Sequence, residues 1–451
     1  MEDTIVAVST ALGVGAISII RVSGKESIKI VNKIFKGDDL EKKSTHTINY
    51  GYIVENNEKI DEVLVMLMKE PRTYTKENIV EINCHGGIAT TNKVLEILLK
   101  KGCRLANPGE FTKRAFLNGR IDLQHAEGIM DLIESKTELS RKQSILAVSG
   151  NVSKLIKELR QEIIEILANI EVNIDFPEYE DIEEMTLNHI IIKMHNIKQQ
   201  IEKIIKESKN GKIIKEGINV AIIGKPNVGK SSLLNELLEE EKAIVTNIEG
   251  TTRDTVEGQI NLDGIMLNII DTAGIRETSD IVEKIGVDKS LKLISTADLI
   301  LFMINNNEKL TTEEKILFEK IKDKNNIVIV NKTDLLSELN VNDIKIENLI
   351  YMSTLNKTGI EELKNKIKEI FNLEQIVTNE LTYLTNARSI GILEEILTSI
   401  DQIENGIKNE FPIDILEIDL KNIWEKLGEI IGISYKEELI DQLFSQFCLG
   451  K

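Results

Sequence analysis

The stretch Gly224-Lys-Pro-Asn-Val-Gly-Lys-Ser-Ser232 decides the fold of the segment around it. An apolar, β-branched run (residues 218–223) precedes it, and a helix-favouring run (residues 233–238) follows it. Strand, glycine-rich loop and helix in this order form the phosphate-binding motif G-x-x-x-x-G-K-[ST]. The loop N–H groups and the positive helix end would face a phosphate chain, with Lys230 on the terminal phosphates and Ser231 on Mg²⁺. The alternative is a glycine-rich turn followed by chance by Lys-Ser.

Three further motifs follow in the order typical of a GTPase. Gly250-Thr-Thr-Arg-Asp254 would place Thr252 on Mg²⁺ or the γ-phosphate, and Asp271-Thr-Ala-Gly274 would hold Mg²⁺ through water and meet the γ-phosphate. Asn331-Lys-Thr-Asp334 ends an apolar strand, and its last carboxylate would accept two N–H groups that guanine has and adenine lacks. The predicted nucleotide-binding residues are Asn227, Val228, Gly229, Lys230, Ser231, Ser232, Thr246, Asn247, Ile248, Glu249, Gly250, Thr251, Thr252, Asp271, Thr272, Ala273, Gly274, Asn331, Lys332 and Asp334.

Two departures from the usual GTPase pattern affect the catalytic assignment. Ser353-Thr-Leu355 stands where Ser-Ala-Lys is usual, so base contacts there would come from the backbone. Residue 275 is Ile rather than the Gln that Ras-like enzymes use to orient the attacking water. The candidates for that role are Glu283 and a cation that replaces an arginine finger. We therefore predict Lys230, Thr252 and Glu283 as the catalytic residues.

Composition limits the class of protein. The 451 residues can form two or three domains, and 56 Lys and Arg against 74 Asp and Glu give a net charge of −18. A chain this acidic is a poor binder of nucleic acid by itself, so we expect a partner to hold most of any RNA. Three scattered cysteines indicate a reducing compartment. Without a signal-peptide pattern or a membrane-spanning apolar run, the sequence predicts a cytoplasmic protein that does not contact a membrane.

The chain changes character three times, which predicts an α/β multidomain protein. Residues 1–118 are an α+β domain, residues 119–215 and 378–451 are two helical blocks, and residues 216–377 are a doubly wound, mostly parallel α/β domain inserted between them. The predicted strands are residues 16–22, 62–68, 79–84, 218–223, 266–270, 299–304, 327–330 and 349–352. The predicted helices are residues 26–35, 88–99, 126–149, 152–172, 182–208, 387–407, 413–431 and 435–447.

Charged residues interrupt two of the predicted N-terminal strands, at Arg21 and Glu81. Either side chain could point to a solvated face of its sheet. Alternatively, the guanidinium and the carboxylate could grip a polar, ring-bearing ligand in a pocket.

The whole chain resembles the MnmE (TrmE) family of tRNA modification GTPases. Besides the GTPase motifs, the resemblance rests on motifs near both termini. These are Gly15-Ala-Ile-Ser-Ile-Ile-Arg-Val-Ser-Gly24, Val80-Glu-Ile-Asn-Cys-His-Gly-Gly87, Pro108-Gly-Glu-Phe-Thr-Lys-Arg-Ala-Phe-Leu-Asn118, Asp175-Phe-Pro177, Asp271-Thr-Ala-Gly-Ile-Arg276 and Phe447-Cys-Leu-Gly-Lys451.

The resemblance implies an N-terminal folate-binding domain that dimerises, a central helical domain and an inserted Ras-like P-loop GTPase domain. It also implies that 5-formyl- or 5,10-methylene-tetrahydrofolate contacts Arg21, Glu81, Arg120 and Lys451. Potassium would be bound by Asn227, Thr246, Ile248 and Thr251, and magnesium by Ser231 and Thr252. Cys448 is either a small buried hydrophobic residue or a group beside the folate.

The implied function is K⁺-dependent GTP hydrolysis coupled to modification of tRNA. The family adds an aminomethyl or carboxymethylaminomethyl group at C5 of the wobble uridine, as a homodimer that forms a heterotetramer with the FAD-dependent protein MnmG. The alternatives are a ribosome-assembly GTPase and a regulatory GTP switch without nucleoside chemistry. The first of these usually carries a basic Gly-x-x-Gly RNA-binding domain, which residues 378–451 do not contain.

Overall fold

The computed structural model describes residues 3–175, 180–240, 256–270, 293–340, 347–373, 384, 386–434 and 437–450. These residues form two compact units. The first comprises Met1–Met130, Val148–Ile197 and Glu395–Lys451, and the second comprises Asp131–Ala147 and Lys198–Glu394.

The N-terminal part of the first unit is built on a seven-stranded sheet with the strand order β3-β4-β5-β6-β2-β1-β7. Its neighbouring strands are antiparallel except for β1 and β7. The strands are β1 (Ile5–Val8), β2 (Ile17–Ser23), β3 (Phe35–Lys36), β4 (Thr47–Glu55), β5 (Glu58–Met68), β6 (Ile79–His85) and β7 (Arg104–Leu105). The helices beside them are α1 (Ser27–Asn32), α2 (Ile88–Lys100) and α3 (Glu110–Leu117).

Strand β4 is a regular strand that the sequence pattern did not reveal. Its buried positions include Asn49 and Gly51, whereas Ile48 and Tyr50 on the opposite face are exposed. In this first half of β4, the alternation of apolar and polar residues that marks a half-buried strand is therefore reversed. The strands predicted at residues 16–22, 62–68 and 79–84 are confirmed as β2, β5 and β6.

Four helices follow: α4 (Leu123–Glu134), α5 (Glu138–Val148), α6 (Asn151–Asp175) and α7 (Glu180–Glu216). The prediction of one helix across residues 126–149 is wrong, because the chain ends α4 and starts α5 within it. The Thr137 hydroxyl accepts the backbone N–H of Ser140 at 3.1 Å, an N-terminal cap that starts a new helix. The residues on both sides of this break belong to the second unit, which includes Asp131–Ala147.

The second unit is centred on a six-stranded sheet with the strand order β13-β12-β11-β8-β10-β9. Five strands are parallel, and β9 is an antiparallel edge strand that the sequence pattern did not predict. The strands are β8 (Ile218–Ile223), β9 (Val256–Leu262), β10 (Ile265–Ile270), β11 (Leu299–Asn305), β12 (Asn326–Asn331) and β13 (Leu349–Tyr351). The helices are α8 (Lys230–Glu240), α9 (Thr312–Ile321) and α10 (Ile360–Ile370). This confirms the predicted mostly parallel, Ras-like P-loop domain.

The chain ends in α11 (Ala387–Lys408), α12 (Ile413–Ile431) and α13 (Glu437–Ser445). In the first unit, α12 packs along α6 and α13 packs against α3. Helices from before and after the inserted α/β segment thus share one core. Within the described ranges, none of the helices combines the length and the apolar character needed to cross a bilayer.

Candidate functional sites

The phosphate loop connects the buried strand β8 to α8, and its backbone needs glycine at two positions. Gly224 has φ +147° and Gly229 has φ +103°. A Cβ at Gly224 would collide with the Met303 carbonyl, and one at Gly229 would collide with the Asn331 side chain. At these two positions the backbone of the loop therefore lies closer to its neighbours than a residue with a Cβ atom would allow.

Lys230 begins α8 and turns its ammonium group back over this loop. Its Nζ donates to the carbonyl oxygens of Gly224 at 2.8 Å and Lys225 at 2.6 Å. Burial lowers the pKa of Lys230 to about 8, because a low-dielectric environment disfavours the charged form. Asn227 and Ser231 in the same loop are exposed, and Asn227 has φ +62°. Their positions fit a site that offers a cation and polar oxygens to a phosphate chain.

Asn331, at the end of β12, holds the phosphate loop to the loop after β13. Its Nδ2 donates to the Val228 carbonyl at 2.7 Å and to the Thr354 hydroxyl at 3.2 Å, and its Oδ1 accepts the Thr354 N–H at 3.1 Å. The residue is 1% exposed. Asn331 therefore braces the site, and its partner Thr354 is the middle residue of Ser353-Thr-Leu355 and not one of the predicted site residues.

Asp334, the predicted guanine-reading residue, is exposed and aligned by a hydroxyl. Ser353 Oγ donates to Asp334 Oδ1 at 2.5 Å and accepts the Asn356 N–H at 3.3 Å. Ser353 belongs to the segment Ser353-Thr-Leu355, for which the sequence predicts base contacts from the backbone. The structure shows that its first residue keeps a role even though Leu355 departs from the pattern.

Several predicted site residues lie outside the described residues. They are Thr246, Asn247, Ile248, Glu249, Gly250, Thr251, Thr252, Asp271, Thr272, Ala273, Gly274, Glu283 and Lys451. In the described part of the chain, no group of three or more His, Cys, Asp or Glu side chains could hold a metal ion. The metal ligands predicted from sequence are mostly hydroxyls, amides and backbone carbonyls, which belong to other residue types.

Arg21 and Glu81 face each other across β2 and β6. Arg21 Nε lies 2.7 Å from Glu81 Oε1, and their side chains are 20% and 13% exposed. The Arg21 guanidinium also lies 5.7 Å from the centre of the Tyr74 ring and 5.6 Å from that of Phe111. The pair is thus largely buried, with two aromatic rings beside the guanidinium, rather than displayed on a solvated face.

The C-terminal tail joins this pair. Arg21 Nη1 donates to the Gly450 carbonyl at 3.2 Å, and Ser9 Oγ donates to the same oxygen at 3.1 Å. The Gly109 N–H donates to the Cys448 carbonyl at 3.3 Å, while the Cys448 side chain is exposed.

Arg120 approaches the same surroundings through Tyr74. Its Nη1 donates to the Tyr74 carbonyl at 2.9 Å, and its guanidinium lies 4.7 Å from the centre of the Tyr74 ring. Arg21 and Arg120 therefore both lie near the Tyr74 ring, and Glu81 joins them through its ion pair with Arg21. Sequence reasoning missed Tyr74 and Ser9, which lie in segments without a recognisable ligand-binding motif.

Two family models match the chain. The one described as "GTP-binding protein TrmE N-terminus" matches residues 4–120, and "MnmE helical domain" matches residues 123–448. A protein from Bacillus mycoides (strain KBAB4), named tRNA modification GTPase MnmE, is 55% identical over 455 residues that cover 100% of this chain and 99% of the relative. A protein of the same name from Ligilactobacillus salivarius (strain UCC118) is 52% identical over 456 residues, which cover 100% of this chain and 98% of the relative.

Solved structures match part of the chain. A structure of Era is 32% identical and covers 34% of this chain and 56% of its own, with a TM-score of 0.26. The G domain of FeoB from T. maritima is 28% identical and covers 34% of this chain and 97% of its own, with a TM-score of 0.23.

Proposed function

Because this chain belongs to the MnmE family of tRNA modification GTPases, we propose that it couples K⁺-dependent GTP hydrolysis to modification of the wobble uridine. With a flavin-dependent partner, MnmG, it adds an aminomethyl or carboxymethylaminomethyl group at C5 of that base in certain tRNAs. A tetrahydrofolate supplies the one-carbon unit when bound. The observation that most supports this function is a second site outside the GTPase segment, formed by Arg21, Glu81, Arg120 and the C-terminal tail.

The chemistry of that second site suits a reduced folate. The Glu81 carboxylate can accept hydrogen bonds from the amino and N–H edge of a pterin ring. The rings of Tyr74 and Phe111 beside Arg21 offer flat apolar surfaces on which a heterocycle can pack. Arg120 and Lys451 would add positive charge for the glutamate end of the ligand. We propose the formyl or methylene form as the physiological ligand.

The GTP site uses the phosphate loop and the guanine-reading loop. Lys230 and Ser231 would contact the phosphates and Mg²⁺, and Asp334 would accept the guanine N–H groups. Asn227, exposed in the phosphate loop, would bind K⁺ beside the phosphates, where the cation supplies the charge that an arginine finger supplies elsewhere. We propose Glu283 as the residue that orients the attacking water.

The partners follow from the family and from the charge. We propose a homodimer whose G domains close on each other across bound nucleotide, and a heterotetramer with MnmG. A chain with net charge −18 holds few phosphates by itself, so MnmG would carry most of the tRNA.

Nucleoside analysis of tRNA tests the function. Cells without this gene should lack the modified wobble uridine, and expression of the chain should restore it. Expression of Asp334→Asn, which cannot accept both guanine N–H groups, should not restore it. An unchanged wobble uridine in cells without the gene would overturn the proposal, and a ribosome-subunit defect in those cells would favour a ribosome-assembly role instead.

Folate binding by the isolated protein is a second test. Titration with 5-formyltetrahydrofolate should show binding that Arg21→Ala weakens. Lys101→Ala, an exposed cation on the same domain, serves as the control. Equal affinity in Arg21→Ala and in the unchanged chain would refute the folate site while leaving the GTPase assignment intact.

A further inference from the structure

The hairpin of β9 and β10 lies in the chain between two segments of the GTPase motifs. Strand β9 starts two residues after Asp254, which closes the Gly-Thr-Thr-Arg-Asp segment, and β10 ends one residue before Asp271. The far end of the hairpin is the turn Asp263-Gly264, where φ is +50° and +91°. Because the two strands are hydrogen-bonded to each other and joined at this turn, a shift of the strands along their length would also move the turn.

Helix α5 lies against that turn. A Cβ at Gly264 would sit 3.4 Å from the Leu139 Cβ, an ordinary van der Waals distance, so the turn lies close against the helix. Leu139 also packs against the core cluster that includes Ile260, Ile265 and Leu267 of the hairpin. Although α5 comes from the first helical block, it is packed onto the GTPase sheet.

Side-chain hydrogen bonds join the same hairpin to both helical segments. Lys136 Nζ, in the link before α5, donates to Gln259 Oε1 at 3.2 Å. Gln259 Nε2 donates to Asn268 Oδ1 at 2.9 Å across the hairpin, and Asn268 Nδ2 donates to the Glu216 carbonyl at the end of α7 at 2.8 Å. Asn268 is 8% exposed, so this part of the chain of bonds is shielded from water.

An ion pair between α7 and α4 completes a ring of contacts around the hairpin. Lys215 Nζ lies 2.6 Å from Asp131 Oδ1, and the Asp131 side chain is 4% exposed. Asp131, Lys136, the hairpin and the end of α7 thus form a closed set of contacts. In a closed ring of contacts, one member cannot shift without moving its neighbours or breaking its contacts with them.

We infer that Lys136, Leu139, Gln259 and Asn268 are positioning residues that transmit the nucleotide-dependent position of the β9–β10 hairpin to α5 and to the end of α7. The inference rests on the proposed function, since it assigns the route by which GTP hydrolysis reaches the rest of the chain. None of these residues is assigned a contact with GTP, folate or tRNA. Their effect is on coupling and not on the chemical step.

Hydrogen exchange of the full-length chain measures this route directly. In KCl, exchange at the amides of residues 138–148 should differ between the GDP state and the state with GDP and aluminium fluoride by about fivefold, the low end of coupling between sites. Gln259→Leu, which removes both hydrogen bonds of that side chain, should abolish the difference. Lys136→Met should reduce the difference in exchange. Lys136→Arg should retain the difference, because a guanidinium can still donate to Gln259.

The controls are Lys142→Met, an exposed lysine on α5, and Gln402→Leu, an exposed glutamine on α11; both should leave the difference unchanged. An equal response in Gln259→Leu and in the unchanged chain would overturn the inference, as would the absence of any response in the unchanged chain.

A second readout separates this inference from the proposed function. With MnmG and tRNA, Gln259→Leu should consume more GTP per modified uridine while basal GTP hydrolysis and the thermal midpoint stay near those of the unchanged chain. Parallel loss of hydrolysis and modification would overturn the inference and indicate a merely structural role. Failure of the unchanged chain to modify tRNA would instead refute the proposed function, and the exchange experiment would still decide the coupling.

Discussion

Arg21 and Gly450 are 429 residues apart in the chain, and a hydrogen bond of 3.2 Å joins the Arg21 guanidinium to the Gly450 carbonyl. The same guanidinium pairs with Glu81, so a single side chain ties the C-terminal tail to the centre of the N-terminal sheet. The tail is therefore a wall of the proposed folate site.

Gly450→Ala should displace the tail and weaken folate binding. Gly450 has φ +87°, and a Cβ there would collide with the Val8 carbonyl. Loss of the charge-assisted bond from Arg21 should lower the affinity for 5-formyltetrahydrofolate by about tenfold, since such bonds contribute roughly 1.5–3 kcal/mol. Isothermal titration measures it.

The matched control for that prediction is Gly391→Ala. Nothing lies within 4 Å of a Cβ at Gly391, which is inside α11. This substitution should leave folate affinity unchanged and raise the free energy of unfolding by about 0.5–1 kcal/mol, because alanine favours a helix more than glycine does. Equal folate affinity in both variants would show that the tail does not contribute to the site.

Asn227→Gly should remove the preference for K⁺ over Na⁺ in GTP hydrolysis. The φ of Asn227 is +62°, which glycine adopts without strain, so this variant removes the amide and leaves the loop intact. An alanine at the same position would add backbone strain and confuse the result. Hydrolysis rates in KCl and NaCl provide the measurement, and an unchanged ratio of the two rates would refute the potassium site.

Ser353→Ala should weaken the binding of GTP and of GDP to the same extent. Ser353 donates to Asp334 at 2.5 Å and so aligns the carboxylate for the guanine edge. Loss of one hydrogen bond at an exposed carboxylate should cost about 1 kcal/mol, or roughly fivefold in affinity. Fluorescent GDP titration checks this, with Ser445→Ala, a hydroxyl on the surface of α13, as the control. No change in affinity would mean that Asp334 is oriented without Ser353.

The stability of the nucleotide-free chain should rise with pH between about 8 and 10.5, relative to Lys230→Met. Burial lowers the pKa of Lys230 to about 8, whereas the unfolded chain holds that proton up to the ordinary value of 10.5. Between these values the unfolded state binds more protons, so raising the pH favours the folded state. Thermal midpoints of both proteins at several pH values test this. A constant difference between them across this window would contradict the prediction.

The strand, glycine-rich loop and helix around Lys230 were predictable from the sequence because these elements are local. A phosphate loop between a strand and a helix, and Asp334 shortly after another strand, are recognisable from a few adjacent residues. The motifs near both termini gave the family, and the matches over the full length of the chain confirm it, together with the prediction that the chain is a GTPase enzyme. The mostly parallel sheet was predictable for the same reason, since each of its five parallel strands is a short apolar run.

Contacts between distant segments were decided only by the tertiary structure. No periodicity in the sequence relates Arg21 to Gly450, or Lys136 to Gln259. The break at Thr137 and the placement of α5 on the GTPase sheet depend on a cap and on packing that a continuous helical pattern conceals. Local patterns record which backbone conformation a segment prefers, whereas the partner of a side chain is chosen by the packing of the whole core.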